Sequence, residues 1–306
     1  MHSLKKYLAL LLLFINPSSF FILSAQSYKV ILYPPDTAYR TRQKPPSEAI
    51  INYYLKEKSN DTVTLDILDS IGNLVMHCTS KQLSPQQILS GDSGSHRFLW
   101  DIHYTPLIVP PSHPITTIIG DATPTSPWVM PGTYTVKLTV NKTTYTQPLI
   151  VKMDPRVKVS TNVLIEQHDY SMLCYHDRQE ALLMLPEITP LQTQLLLVSG
   201  KIGLDHDSLN DELDTCYFKL GMLHHLLMDS IPEGRTPLND KLQELFKSIE
   251  AVDAQPTAQC LDETNAANAR FEKLWQNWVA LQQELKRLND MLKATGLTEL
   301  KWIETR

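Results

Sequence analysis

The feature that most constrains this chain is a change in its hydrophobic period near Val157. Before that point apolar residues recur at every second position; after it they recur every three or four. The change follows a segment running from Pro131 to Val157. There Tyr134, Val136, Leu138 and Val140 alternate with Thr133, Thr135, Lys137 and Thr139, the pattern of a strand with one buried face. Asn141 and Lys142 form a two-residue connection, where Asn tolerates the positive φ of a tight hairpin. Tyr145, Leu149, Val151 and Met153 resume the alternation until Asp154-Pro155 ends it.

Other segments before the hairpin also read as β. Val30 to Tyr33 is an entry strand, and the polar stretch Thr37 to Lys44 reads as a linker. Ile51, Tyr53 and Leu55 alternate, as do Val63, Leu65 and Ile67. A turn at Asp69 to Asn73 leads to a partner strand, Leu74 to Cys78, and His96 to Ile102 gives one more. Roughly seven short strands separated by turns predict an antiparallel β-sandwich. Ser90 to Gly94 matches half of an S-x-D-x-G box without its Thr-Trp completion, and is read as a polar turn.

Beyond Val157 the spacing is helical. One helix is expected from Asn162 to Leu185, ended by Pro186, and a second from Leu191 to Ile202. A third starts at Asp207-Ser208 and runs to about Met228, and a fourth covers Leu238 to Ala251. In the last helix Phe271, Leu274, Trp278, Leu281, Leu285, Leu288 and Leu292 make an unbroken heptad seam, stopped by Gly296. A single seam among several helices predicts an antiparallel bundle closed within the chain. The fold class expected is therefore α+β, with strands in residues 26–157 and helices in 158–306.

The first 25 residues read as an export signal. Lys5 and Lys6 precede the apolar run Tyr7 to Ile15, and Ser24-Ala25-Gln26 supplies a small-residue cleavage site, with the cut after Ala25. The expected location is the periplasm, the cell surface or the medium, with no stable membrane span after cleavage; an uncleaved anchor is the alternative. In that setting disulfides are permitted. Cys78, Cys174, Cys216 and Cys260 include no CxxC pair, so one bridge among the last three and buried thiols both stay open. A formal charge of −5 over 306 residues, without a basic cluster, argues against a nucleic-acid partner.

Chemistry is hard to find. No GxSxG, HExxH or P-loop occurs. Cys174 and His176 are two apart, which puts them on different helix faces, and the adjacent His224-His225 cannot face one metal. His168, Asp169 and His176 form a weak cluster read as satisfied histidines, and Asp205, Asp207, Asp211, Glu212, Asp214 and Glu233 lack the loop spacing of a cation site. No catalytic residue, cofactor or metal ligand is assigned. The one candidate site is the proline-rich loop between Asp101 and Pro131, read either as a binding loop presenting Ile108, Val109 and Trp128 or as an arm packed on its own sheets or helices.

The segments ILYPPDTAYRTRQKPPSEAIINYYLKEKSNDTVTLDILDSIGNLV, HRFLWDIHY, PGTYTVKLTV with TYTQPLIVKMDPRV, DAQPTAQ and LKATGL occur in an order similar to one known region. Over about residues 28 to 300 the chain resembles the C-terminal region of bacterial secreted sortilin-like proteins, the BNR-repeat or glycosyl-hydrolase-like proteins. The resemblance implies an immunoglobulin-like or fibronectin-like sandwich with a helical tail, normally placed after a β-propeller that is expected to be absent here. It carries over no catalytic residue. The function it implies is a non-catalytic exported accessory module that docks on a separately encoded propeller protein or a surface glycan. The alternative is a subunit or fragment of a glycoside hydrolase-like protein whose propeller is on another chain.

Overall fold

A computed structural model describes residues 29–42, 48–81, 89–107, 126–202, 207–228 and 236–303. The first 25 residues, read above as an export signal, and Ile108 and Val109 lie outside them. The chain is α+β, with strands first and helices after. The strands are β1 (Val30–Leu32), β2 (Ala38–Arg40), β3 (Ala49–Leu55), β4 (Thr64–Leu68), β5 (Leu74–Thr79), β6 (Gly94–Trp100), β7 (Gly132–Val140) and β8 (Thr143–Met153). They form a three-stranded sheet in the order β1-β3-β6 and a five-stranded sheet in the order β2-β8-β7-β4-β5. All pairings are antiparallel except that of β2 with β8.

Period-two patterning explains the sheet core. Ile51, Tyr53, Leu55, Phe98 and Trp100 from the smaller sheet share one buried cluster with Leu65, Ile67, Val136, Leu138, Leu149 and Val151 from the larger. The β7–β8 turn is built as its sequence predicts. Asn141 and Lys142 have φ of 48° and 66°, matching the twist of the flanking strands, and Val140 faces Thr143. The Asn141 carboxamide oxygen also accepts from Ser59 Oγ at 3.0 Å and the Asn60 amide at 3.1 Å, so the turn residue organises the neighbouring loop. Pro148 is tolerated in β8 because β2 pairs only with Val151 to Met153, leaving that edge of β8 open at the proline.

Among the described residues four helices follow: α1 (Thr161–Ser199), α2 (Asp207–Met228), α3 (Leu238–Ile249) and α4 (Ala258–Ala294). Ser160 caps α1 by accepting from the Val163 amide, and Thr257 caps α4 by accepting from the Cys260 amide. The whole heptad seam from Phe271 to Leu292 is buried, and Gly296 follows α4 with φ of 72°. The helical core is a cluster of its own, with no member from the strands.

Three sequence expectations need correcting. Pro186 does not end a helix, and Leu191 does not start one: α1 runs through both Pro186 and Pro190 as 39 continuous residues. The two prolines are four apart and both exposed, and each removes the amide that would pair the carbonyl four residues before it, those of Leu182 and Pro186. Met184, Ile188, Leu191 and Leu195 on the opposite face are buried, and that packing outweighs a cost of about 3 kcal/mol per proline. This helix is also long and apolar enough to cross a membrane by composition. The stretch Thr37 to Lys44 is not simply a linker, since it contains β2. Finally, β6 stops at Trp100, two residues short of the expected end, because Ile102 turns the backbone to φ of 63°.

Candidate functional site

The sheets and helices meet along a seam of charged and aromatic side chains. It begins with β2, whose parallel pairing to the end of β8 points Ala38 and Arg40 inward and Tyr39 outward. Arg40 is only 2% exposed. Its Nη2 lies 2.6 Å from Asp253 Oδ1, just beyond α3, and also donates to Gln167 Oε1 on α1 at 3.5 Å. Its Nη1 donates to the Val129 carbonyl at 3.4 Å.

Arg42 approaches the same acids from the rim. Its Nε and Nη2 each lie 3.1 Å from an oxygen of Asp253, and Nη1 donates to the Glu250 carbonyl. One carboxylate thus receives two guanidinium groups. Gln167 completes the junction by donating through Nε2 to the carbonyl of Ile249 at 2.7 Å, the last residue of α3, and to that of Val252 at 2.6 Å, which also accepts from the Ala254 amide at 3.1 Å. Further along, Tyr175 Oη donates to the Thr105 carbonyl at 2.8 Å. Tyr104 packs beside both Tyr175 and His168.

Trp128 is at the centre of this arrangement. It is 7% exposed, with the Arg40 and Arg42 guanidinium carbons 5.5 and 5.7 Å from its ring centroid. The His103 ring lies 4.0 Å away, centroid to centroid, and a single bridge joins His103 to Trp128. Trp128 therefore packs inward on the seam, while Ile108 and Val109 lie outside the described residues.

Burial governs the titratable groups here. It pushes the Glu250 carboxyl above its ordinary value, against the pull of Arg40 and Arg42. It holds His103 below the ordinary imidazole value, with Arg40 and Arg42 acting in the same direction and Asp101 opposing. A cleft of about 160 Å³ opens where His103 and Trp128 meet the last turn of α3 at Phe246, Lys247 and Glu250.

Other candidates fall elsewhere. Cys78, Cys174, Cys216 and Cys260 are all thiols, none joined to another. Burial pushes Cys174 up to about 12 and Cys216 up to about 11, which makes them poor nucleophiles. Asp211 and Glu212 line a charged groove between α2 and α4 with Lys219, Glu284 and Arg287. Among the described residues no group of three His, Cys, Asp or Glu side chains is placed to hold a metal. No family model matches the chain, and no curated protein matches it.

Sequence reasoning singled out Trp128 and missed its partners. Arg40 and Arg42 stood in a stretch read as polar linker, and Asp253 in a short connection between helices. The available signal was their spacing: residues two apart on a strand share a face, so Ala38 and Arg40 were due to point the same way.

Proposed function

We propose that this chain is a non-catalytic exported accessory module, an immunoglobulin-like β-sandwich fused to an antiparallel helical bundle. In this reading it docks on a separately encoded β-propeller protein, as its resemblance to the C-terminal region of secreted sortilin-like proteins implies. A surface glycan is the competing partner, and a hydrolase subunit the competing role.

The observation that supports docking on a protein is the set of large apolar side chains on the outer helix faces. Leu183 and Leu197 on α1 are 59% and 63% exposed, and Phe218 on α2 is 67% exposed with Met222 one turn away. Phe218 and Met222 one turn apart on α2, and the adjacent Leu196 and Leu197 on α1, are the exposed apolar positions this reading uses as contact points for a protein partner. In this reading the seam joins the helices to the sheets, so that both present one surface.

Tagged chain recovered from its native host tests the reading. The expected result is a mature N-terminus at Gln26 and co-purification with a propeller protein, lost in a Leu197→Asp, Phe218→Asp double variant. Recovery only as a free monomer, or unchanged recovery of the partner by the double variant, would overturn it. Glycoside hydrolysis by the reconstituted pair would move the assignment to the hydrolase subunit.

A further inference from the structure

The exposed apolar positions on α1 and α2 sit in surroundings that say what kind of partner fits them. Seven residues, 200–206, separate the two helices. A connection that short sets them side by side in opposite directions. Gln192 fixes the register. Its Nε2 donates to the Tyr217 carbonyl at 3.4 Å, and a Cβ on Gly221 would lie 3.4 Å from the same nitrogen. Leu196 and Leu197 come about one turn further along α1, level with the half of α2 that precedes Tyr217.

One stripe of α2 faces outward. Asp211, Asp214, Phe218 and Met222 follow each other at spacings of three and four, which puts them on one face, and all four are exposed. Leu209, Leu213, Leu220 and Leu227, on the opposite face, are buried in the helical core. The two aspartates therefore continue directly into Phe218 and Met222, with the exposed Leu196 and Leu197 on the neighbouring helix.

Charge on this face is one-sided. Residues 179–200 contain Glu180 and Glu187 and no Lys or Arg, and α2 contains Asp207, Asp211, Glu212 and Asp214 against one Lys or Arg, Lys219. That base is already taken, since its Nζ lies 2.7 Å from both carboxylate oxygens of Glu284 on α4. Asp211 and Asp214 form no ion pair among the described residues. Arg287 lines the groove that Asp211 also borders, but from α4 and without pairing to it. What the face lacks is a cation beside its apolar ridge.

We propose that the face formed by α1 and α2 seats a basic amphipathic segment of a partner polypeptide. Its apolar side chains pack on Leu196, Leu197, Phe218 and Met222, and its Lys or Arg side chains meet Asp211 and Asp214. This is helix-in-groove recognition, with charge setting the orientation. The inference rests on the docking reading and names what the partner must present. Other occupants fit less well. A second copy paired about a two-fold axis would bring the same acids towards each other, and like charges oppose that contact. A helix that lies on a membrane carries Lys and Arg beside its apolar face, whereas α2 carries Asp there, which anionic headgroups repel.

Fluorescence anisotropy of labelled peptides with the purified chain tests it. The probe is a peptide of about 18 residues made of leucine and lysine in a helical pattern, long enough to form a helix when bound. Two controls keep its length and pattern, one with glutamate in place of lysine, the other with serine in place of leucine. Saturable binding of the leucine–lysine peptide is expected, at least about tenfold tighter than the serine–lysine peptide, because the apolar contacts are lost in the latter. The leucine–glutamate peptide should not bind. Asp211→Asn with Asp214→Asn should weaken binding about tenfold, the combined effect of two exposed charge pairs. Glu57→Gln with Asp61→Asn makes the same charge change between β3 and β4, at exposed positions, and should leave binding unchanged. The inference is overturned if the leucine–lysine peptide does not saturate, if either control peptide binds as tightly, or if both pairs of substitutions weaken binding equally. Sedimentation of the native chain with phosphatidylglycerol vesicles, or as a dimer that Phe218→Ser dissolves, overturns it in favour of a membrane or a second copy. The peptide comparison on the native chain decides the matter even if a variant does not fold. A propeller protein that still co-purifies with the Asp211→Asn, Asp214→Asn variant leaves docking in place and removes only the basic segment.

Discussion

Charge is buried in two regions of this protein, and the two are built differently. At the seam, Arg40 and Arg42 meet Asp253 and Glu250, cation against carboxylate across elements distant in sequence. Within the helical region, Asp177 and Arg178 are adjacent and of opposite charge, yet adjacent positions on a helix point about 100° apart and cannot pair. Neutral amides answer them instead. Asn268 Nδ2 donates to both Asp177 oxygens, at 3.2 and 3.0 Å, and Arg178 Nε donates to Asn239 Oδ1 at 3.4 Å. Burial then pushes Asp177 up to about 6 and Arg178 down to about 10. Opposed charges fix where two regions join. Amide-capped charges leave a cost in the fold, and part of that cost depends on pH.

The sharpest way to break this contrast is Asp253→Ala. It leaves Arg40 buried without its carboxylate, and a loss of about 3–5 kcal/mol is expected from removing one partner of a buried pair. Urea denaturation measures it, and a loss under 1 kcal/mol would mean that the seam is not held by charge.

Asp177→Asn should act in the opposite direction. A folded-state carboxyl raised from 3.8 to about 6 is favoured in its protonated form. The fold is therefore penalised progressively as pH rises from about 4 to about 6, and fully above that. The Asn variant should be more stable than the native chain by roughly 2–3 kcal/mol at pH 8, the equivalent of about two units. The gain should shrink towards zero at pH 4. Melting curves at both pH values check it, and a gain that does not vary with pH would remove Asp177 from the comparison.

Gln167→Ala probes the neutral part of the seam. It strips the Gln167 donor from the Ile249 carbonyl and leaves the Val252 carbonyl with the Ala254 amide alone, and a loss of about 1–2 kcal/mol is expected in the same urea experiment. An exposed ion pair supplies the lower end of the scale. Asp92→Asn, which removes the surface partner of Lys58, should leave the unfolding midpoint unchanged within error.

How much of this was legible follows from what periodicity can encode. The strands of Ile51, Leu65 and Tyr134 and the seam of Phe271 to Leu292 bury one face each, and a buried face writes its period into the sequence. The Asn141-Lys142 turn was legible because few residue pairs accept positive φ. The course of α1 was not. Pro186 and Pro190 are breakers in isolation, and only the packing of Met184, Ile188 and Leu191 on the opposite face, a tertiary fact, overrides the local signal. The candidate site was half legible. Trp128 stands out as an aromatic in a proline-rich loop, but Arg40 reads as solvent-exposed until Asp253, 213 residues later, provides its counter-charge. His103 carries no signal by itself, since its place against Trp128 depends on the turn at Ile102 and on the bridge between the two residues.

The continuity of α1 through its two prolines has a mechanical consequence. At 1.5 Å per residue its 39 residues extend roughly 58 Å. Gln167 and Tyr175 anchor one end to the seam, and Gln194 holds the stretch after α4 at the other through the Lys301 backbone. The helix is thus a lever with its fulcrum at the seam. A tilt of about 5° there would sweep the distal end through about 5 Å over that length. A helix broken at Pro186 would absorb the same tilt at the break and transmit none of it.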